Sequence, residues 1–238
     1  MKKSIYEKFL DFKARHNLSN EVITKIAIEY ANSNLELARS HFSDKYNISE
    51  YTFYKARDYA IIFCLVDNEV YKRIREKSST NYKSNNSKKS AVGSLVHFDE
   101  LLDKRQEFLD GFSTNEILDI ANKYVEGIST KNIAIAYGTG EYAIKKLLRK
   151  GIIELIFDSN LVKQLSTIVG PALGKTLQKR ELSKKVVLDC LKNQITFLKS
   201  QIMCYDLYFR NSSEKPSLES LNEQLQNAIK MYNETLRL

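Results

Sequence analysis

The stretch Gly127–Lys150, GISTKNIAIAYGTGEYAIKKLLRK, decides how the chain reads. Ser129 is a fit N-cap for a first short helix, because its hydroxyl can accept from an early backbone N–H. Ala134 is small where two helices must cross closely. Gly138 stands where the chain leaves the first helix, at a C′ position that favours positive φ. Thr139 or Gly140 then starts a second helix. Ile133, Ile144 and either Leu147 or Leu148 supply the core between the two.

This order of small, glycine and branched residues resembles the helix-turn-helix DNA-binding superfamily, in the style of resolvases and sigma-factor region 4. The resemblance covers Gly127–Lys150 alone. It implies that the second helix, Gly140–Lys150, lies in a major groove. With Ile144, Leu147 and Leu148 inward, the outward or flanking residues are Glu141, Tyr142, Lys145, Lys146, Arg149 and Lys150, four cations against one acid. Glu141, Tyr142 and Lys145, near the helix start, are expected at base edges, and Arg149 and Lys150 at phosphates. Ser129 and Thr139 complete the expected DNA-contacting set of this segment. The plainer alternative is a solvated helix face with Glu141 and Lys145 paired at i,i+4.

Working outward, the segment has an earlier counterpart. Phe9-Leu10-Asp11 recurs as Phe108-Leu109-Asp110, Asn20-Glu21-Val22 as Asn115-Glu116-Ile117, and Ile26-Ala27 with Tyr30 as Ile120-Ala121 with Tyr124. From Glu50-Tyr51 and Glu141-Tyr142 onward the offset stays at 91 residues (142 − 51), through Lys55 and Lys146, Ile61-Ile62 and Ile152-Ile153, and Asp67 and Asp158. The offset changes only between expected helices, where loop lengths vary freely. In this first copy Ser49 would cap the second helix, and Ile48 and Phe53 would be core. Asn47 replaces Gly138, and Asn is the next-best residue for a left-handed position. The first helix of this copy, or its loop, reads as longer, within Ala38–Tyr46. The expected groove helix, Glu50–Asp58, is formally neutral, with Ser49, Tyr51, Tyr54, Lys55 and Arg57 as its candidate DNA contacts. The first copy serves either DNA or a packing or partner-binding role. The apolar runs Ala60–Val66 and Gly151–Phe157 read as a continuing buried helix or a short wing strand, and the scarce Gly with the caps Asp67-Asn68 and Asp158-Ser159 favours helix.

Between the copies, Lys77–Ser94 is rich in Ser, Asn and Lys and nearly free of apolar residues, so it reads as a solvated tether, with a basic arm along a phosphate backbone as the alternative. After Gly170-Pro171, apolar residues at Val187, Leu191, Ile195, Leu198, Ile202 and Tyr205 mark one face of a long helix. A second stripe follows at Leu218, Leu221, Leu225, Ile229, Tyr232 and Leu236. Two such helices with a short polar loop read as an antiparallel hairpin. Its stripes can close on each other, dock on the second copy or form a dimer seam. Lys175–Lys199 carries seven cations against Glu181 and Asp189, either as a solvated face or as an extension of a phosphate footprint.

Composition excludes several classes. Of 238 residues, 37 are Lys or Arg and 29 Asp or Glu, a net charge of +8 that suits a polyanion. Eight Gly and two Pro are too few for the turns of a β-sandwich or barrel. Cys64, Cys190 and Cys204 form no CxxC pair, and His16, His41 and His97 are scattered, which argues against a disulfide framework, a metal site or a histidine triad. Cys64, among apolar neighbours, reads as a buried inert thiol. The start MKKSIYEKFLDFKARH lacks the apolar core of a signal peptide. No apolar run approaches a membrane span. Gly170–Thr176 falls one residue short of a P-loop, and Pro171 removes a donor from it.

The expectation is therefore an all-α cytoplasmic protein. Two related helix-turn-helix modules occupy 1–77 and 95–169, a basic polar linker 78–94, and a helical hairpin 170–238. The expected partners are double-stranded DNA and, through the hairpin, a second copy. No membrane, cofactor, metal or catalytic residue is expected. The leading reading is a sequence-specific DNA-binding regulator of transcription. Its Lys/Asn/Ile-rich composition is associated with AT-rich bacterial genomes and their mobile elements. A packaging-site or replication-site recognition protein, a protein-interaction adaptor and a DNA-processing enzyme are the alternatives.

Overall fold

A computed structural model describes residues 4–33, 44–83, 88–209 and 216–238, with the side chains of 79–83 and 88–96 excepted. The chain is all-helical, and no strand occurs among the described residues. Among the described residues, no helix is long and apolar enough to cross a membrane.

Polar caps set the helix starts. Helix α1 (Ile5–His16) opens on a reciprocal Ser4–Glu7 capping box, and α2 (Asn20–Asn32) on Ser19. Helix α3 (Glu50–Ile62) is capped by Ser49, whose Oγ accepts from Thr52 N at 3.1 Å. Helix α4 (Asn68–Lys83) follows Asp67, whose Oδ1 accepts from Val70 N at 2.9 Å. Helix α5 spans Lys88–Asp110. Helix α6 (Thr114–Val125) follows a second reciprocal pair, Ser113 and Glu116. Helix α7 (Thr130–Ala136) is capped by Ser129, and α8 covers Glu141–Ile153. Asp158 caps α9 (Ser159–Val169), and a 3-10 turn, Gly170–Leu173, leads into α10 (Gly174–Met203). Helix α11 (Leu218–Arg237) starts on Ser217.

The repetition in the sequence has a backbone counterpart. Helices α3 and α8 are both 13 residues long and begin and end at equivalent positions. Asn47 (φ 49°) and Gly138 (φ 62°) are both left-handed, as are Cys64 (φ 53°) and Leu155 (φ 60°). Leu65 N donates to Ala60 O at 2.9 Å, and Ile156 N to Gly151 O at 3.0 Å. This six-residue closure, with a left-handed residue inside it, ends both helices in the same way. The runs 60–66 and 151–157 are thus helix followed by a turn.

Packing divides the chain into two units, Met1–Glu116 with Gly127–Leu147, and Ile117–Glu126 with Leu148–Leu238. In the first unit α2 packs on α3 and α4, and α5 on α3 and α4. Ile23, Ile26, Phe53, Ile61, Ile74 and Phe98 fill the space between them. Helix α1 is held on by Phe9, whose ring stacks on Phe63 at 4.2 Å. Phe108 meets the same Phe63 edge-on at 4.8 Å.

The segment expected as a tether differs from its expectation. Helix α4 runs to Lys83 and α5 resumes at Lys88. Lysine and serine tolerate helix, and no proline interrupts them, so low apolar content did not prevent helix here. The first helix expected within Ala38–Tyr46 lies largely outside the described residues.

In the second unit α10 and α11 form the hairpin, closed on itself by Leu198, Leu221 and Ala228, with Ile195, Ile202, Tyr205 and Leu225 beside them. Tyr205 Oη donates to Pro216 O at 2.7 Å at one end, and Lys184 Nζ to Leu236 O at 3.0 Å at the other. Arg180, buried, donates to Ile152 O and Phe157 O at 3.0 Å each, and also reaches Leu238 O.

Candidate nucleic-acid interface

The local geometry of Gly127–Lys150 follows from its residues. Ser129 Oγ accepts from Asn132 N at 3.2 Å. Ile133, Ala134, Ile144, Leu147 and Leu148 are all buried. Gly138 takes the left-handed turn, and the Tyr6 hydroxyl occupies the place a Cβ would need.

The start of α8 is docked on the turn after α3. Thr139 Oγ1 donates to Phe63 O at 2.8 Å, and Gly140 N to the same oxygen at 3.3 Å. A side chain at Gly140 would collide with the carbonyl of Cys64 and the backbone of Leu65. Thr139 is only 4% exposed, so its hydroxyl is used inside the fold. Glu141 is exposed and accepts from Thr130 Oγ1 at 2.6 Å. Tyr142 is half-buried, with the Arg105 guanidinium 4.6 Å and Lys146 Nζ 5.5 Å from its ring centre. Lys145 and Arg149 are exposed, one turn apart, and Lys146 and Lys150 are half-buried on the adjoining row.

A cleft of about 980 Å³ opens beside α8 within the first unit. Lys13, Lys25, Lys131 and Lys145 line it, opposed by Glu21, Asp67 and Glu141. Its charge is close to balanced. Burial pushes the Lys13 ammonium below its ordinary pKa, against the pull of Glu21. Glu21 itself is held below the usual carboxylate range, chiefly by backbone and Ser19 hydrogen bonds, with Lys131 and Lys13 adding to this.

In the first copy, Ser49 is exposed and accepts at the head of α3. Tyr51 is 69% exposed and Lys55 is exposed, its ammonium 5.7 Å from the Tyr51 ring centre. Tyr54 is half-buried against Tyr30 and Phe53. Arg57 is 6% exposed and turned inward: its Nη2 sits 2.7 Å from Asp58 Oδ1, and its guanidinium lies 4.9 Å from the Tyr54 ring centre. His97 Nε2 is 3.2 Å from the other Asp58 oxygen. Burial works to raise the Asp58 carboxyl, yet the His97 and Arg57 hydrogen bonds and charge outweigh it and hold it low. Thr139 and Arg57 are thus spent within the fold.

Arg105, absent from the sequence-based set, joins the site through Tyr142. A sequence signal for it exists: it interrupts the buried stripe Phe98, Leu101, Leu109 of α5 at helical spacing. Cys64 is fully buried and its thiol is pushed up by that burial. Among the described residues, no group of His, Cys, Asp and Glu is arranged to hold a metal ion. Comparison with models of known families, with curated proteins and with solved structures gave no match.

Proposed function

We propose that the chain is a sequence-specific double-stranded DNA-binding protein that grips the duplex with the outer flank of α8. The observation that carries this reading is the pattern of α8 against α3. Both helices bury equivalent positions, Phe53 and Ile144, Ala56 and Leu147, Arg57 and Leu148, Ile61 and Ile152. Only α8 turns Lys145 and Arg149 outward, with Lys146 and Lys150 on the next row.

The docked start of α8 narrows the contact set. Glu141 and Lys145 remain for base edges, while Arg149, Lys150 and Lys131 suit phosphates. Regulation of transcription is the commonest task of such motifs, and packaging-site or replication-site recognition in a mobile element would use the same contacts. A second copy would dock on the outer face of the hairpin, where Leu182, Val186 and Phe197 stay exposed.

A protein-interaction adaptor is the second reading. It is favoured by Thr139 and Gly140 packing on Phe63, because a groove reader normally presents that helix end to the bases. Selection of bound duplexes from a random pool separates the two. Enrichment of one site supports DNA reading, and its symmetry reports the number of copies bound. A pool that stays random at low salt favours the adaptor.

A further inference from the structure

Among the described residues three arginines are buried: Arg57 at 6% exposure, Arg105 at 3% and Arg180 at 3%. Arg57 has the Asp58 carboxylate, and Arg180 has a set of backbone carbonyls. Arg105 has neither. Its Nε donates to Cys64 Sγ at 3.1 Å, its Nη1 to Asn68 Oδ1 at 3.4 Å, and its plane covers Tyr142. All three partners are uncharged, since burial keeps Cys64 a thiol. Arg105 Nη2 is buried and makes no hydrogen bond. A buried guanidinium left without a counter-charge is strongly disfavoured, and one with an unused donor more so.

Arg105 lines a cleft of about 500 Å³ between α4, α5 and the first half of α8, inside the first unit. Lys72, Arg75 and Lys146 line it as well, and Asp103 is its one carboxylate. Tyr71, also a lining residue, is buried with a hydroxyl that makes no hydrogen bond of normal geometry. Burial raises that phenol, and the Arg75 and Arg105 cations pull against it. Two cations at the rim have other neighbours: Lys72 lies 3.7 Å from Glu69, and Arg75 lies 3.3 Å from Asp99. A water molecule in the cleft would satisfy one donor but would bring no charge.

We infer that this cleft is an oxyanion site, with Arg105 as its floor and Lys72, Arg75 and Lys146 as its rim, shaped for a phosphate group. A tetrahedral oxyanion accepts from several directions at once, which suits a cleft lined by an arginine with an unused N–H, a tyrosine hydroxyl and three further cations. The phosphate belongs either to a small phosphorylated molecule or to a nucleic-acid backbone. The inference stands on the first unit alone and does not need α8 to enter a groove.

The test is titration of the full chain with inorganic phosphate against matched ionic strength of chloride, followed by calorimetry and by thermal unfolding. Phosphate is expected to bind saturably and to raise Tm as a ligand of the native state does. Arg105→Gln is expected to weaken phosphate binding by about tenfold or more. Because Arg105 is buried, the double variant Lys72→Gln with Arg75→Gln, at the exposed rim, serves as the second probe and is expected to weaken it about tenfold. A duplex arm distinguishes the sources. If phosphate competes with duplex and the rim variant lowers duplex affinity, the group is a backbone phosphate. If phosphate binds and duplex affinity is unchanged, it is a small phosphorylated molecule. Phosphate that acts no differently from chloride, or a rim variant that binds it as the wild type does, overturns the inference. Loss of duplex binding on Lys145→Ala, with phosphate binding intact, bears on the proposed function and leaves this site standing.

Discussion

Helix α3 carries Asp58 where α8 carries Arg149, Tyr59 where α8 carries Lys150, and Ser49 at its head where α8 has Gly140. Both helices bury equivalent positions, while their polar positions differ. In α3 the charge was drawn into the fold: Arg57, Asp58 and His97 form a linked set under the core. In α8 the equivalent of Arg57 is the apolar Leu148, and Lys145 and Arg149 are exposed. One helix therefore uses its charges within the first unit, and the other leaves Lys145 and Arg149 exposed.

The largest expected effect comes from breaking the internal set. Asp58→Asn leaves Arg57 buried without its charge, at a cost of about 3–5 kcal/mol by urea unfolding. The same carboxyl sets an acid limb. Its folded pKa is depressed, so its contribution is present above the ordinary carboxylate value of about 3.9 and is lost as pH falls through the lower folded value. A Tm–pH profile should lose part of its acid slope in Asp58→Asn. An unchanged slope would mean that the Arg57 pair does little.

Next are the two helix heads, which make opposite demands. Gly140→Ala drives a Cβ into the Cys64 carbonyl, where only backbone movement gives relief, and about 3 kcal/mol of destabilisation is expected. At the equivalent Ser49, replacement by Ala removes the acceptor for Thr52 N and should cost about 1 kcal/mol. Equal losses at the two positions would contradict the docking of α8 on the Phe63–Leu65 turn. The smallest stability effect falls on Arg149→Ala, expected within about 0.5 kcal/mol of wild type by the same unfolding measurement. A larger loss would place Arg149 in the fold and not on a free face.

Much of this architecture is legible in the residues. The scarcity of Gly and Pro gives helices, Ser49, Ser129, Asp67 and Asp158 give their starts, and Asn47 standing for Gly138 gives the turn. These are local signals, in which a side chain answers its own backbone a few residues away. The apolar stripes of α10 and α11 gave the hairpin, while which surface covered them was settled by tertiary packing. What sequence reading missed depends on distant partners. Arg57 looked like a surface cation on a groove helix, but the Tyr30 and Phe98 rings, from two other helices, cover its guanidinium and keep it inside. Thr139 looked available until the Phe63 carbonyl met it across the fold. Arg105 looked ordinary because a lone arginine on an apolar stripe declares burial and says nothing of what it lacks. The tether failed for a different reason: composition reports the power to bury surface, and helices α4 and α5 extend into the segment without needing it.

On the proposed reading, the outer flank of α8 binds duplex phosphates. Fluorescence anisotropy of a labelled random-sequence duplex, across a salt series, is to be run on the wild-type chain and on Lys131→Ala with Arg149→Ala, both exposed. Log K is expected to fall linearly with log salt, with a slope smaller in the double variant by about 0.9 for each lost contact. Identical slopes for the two proteins, or no binding by the wild type at low salt, would contradict it.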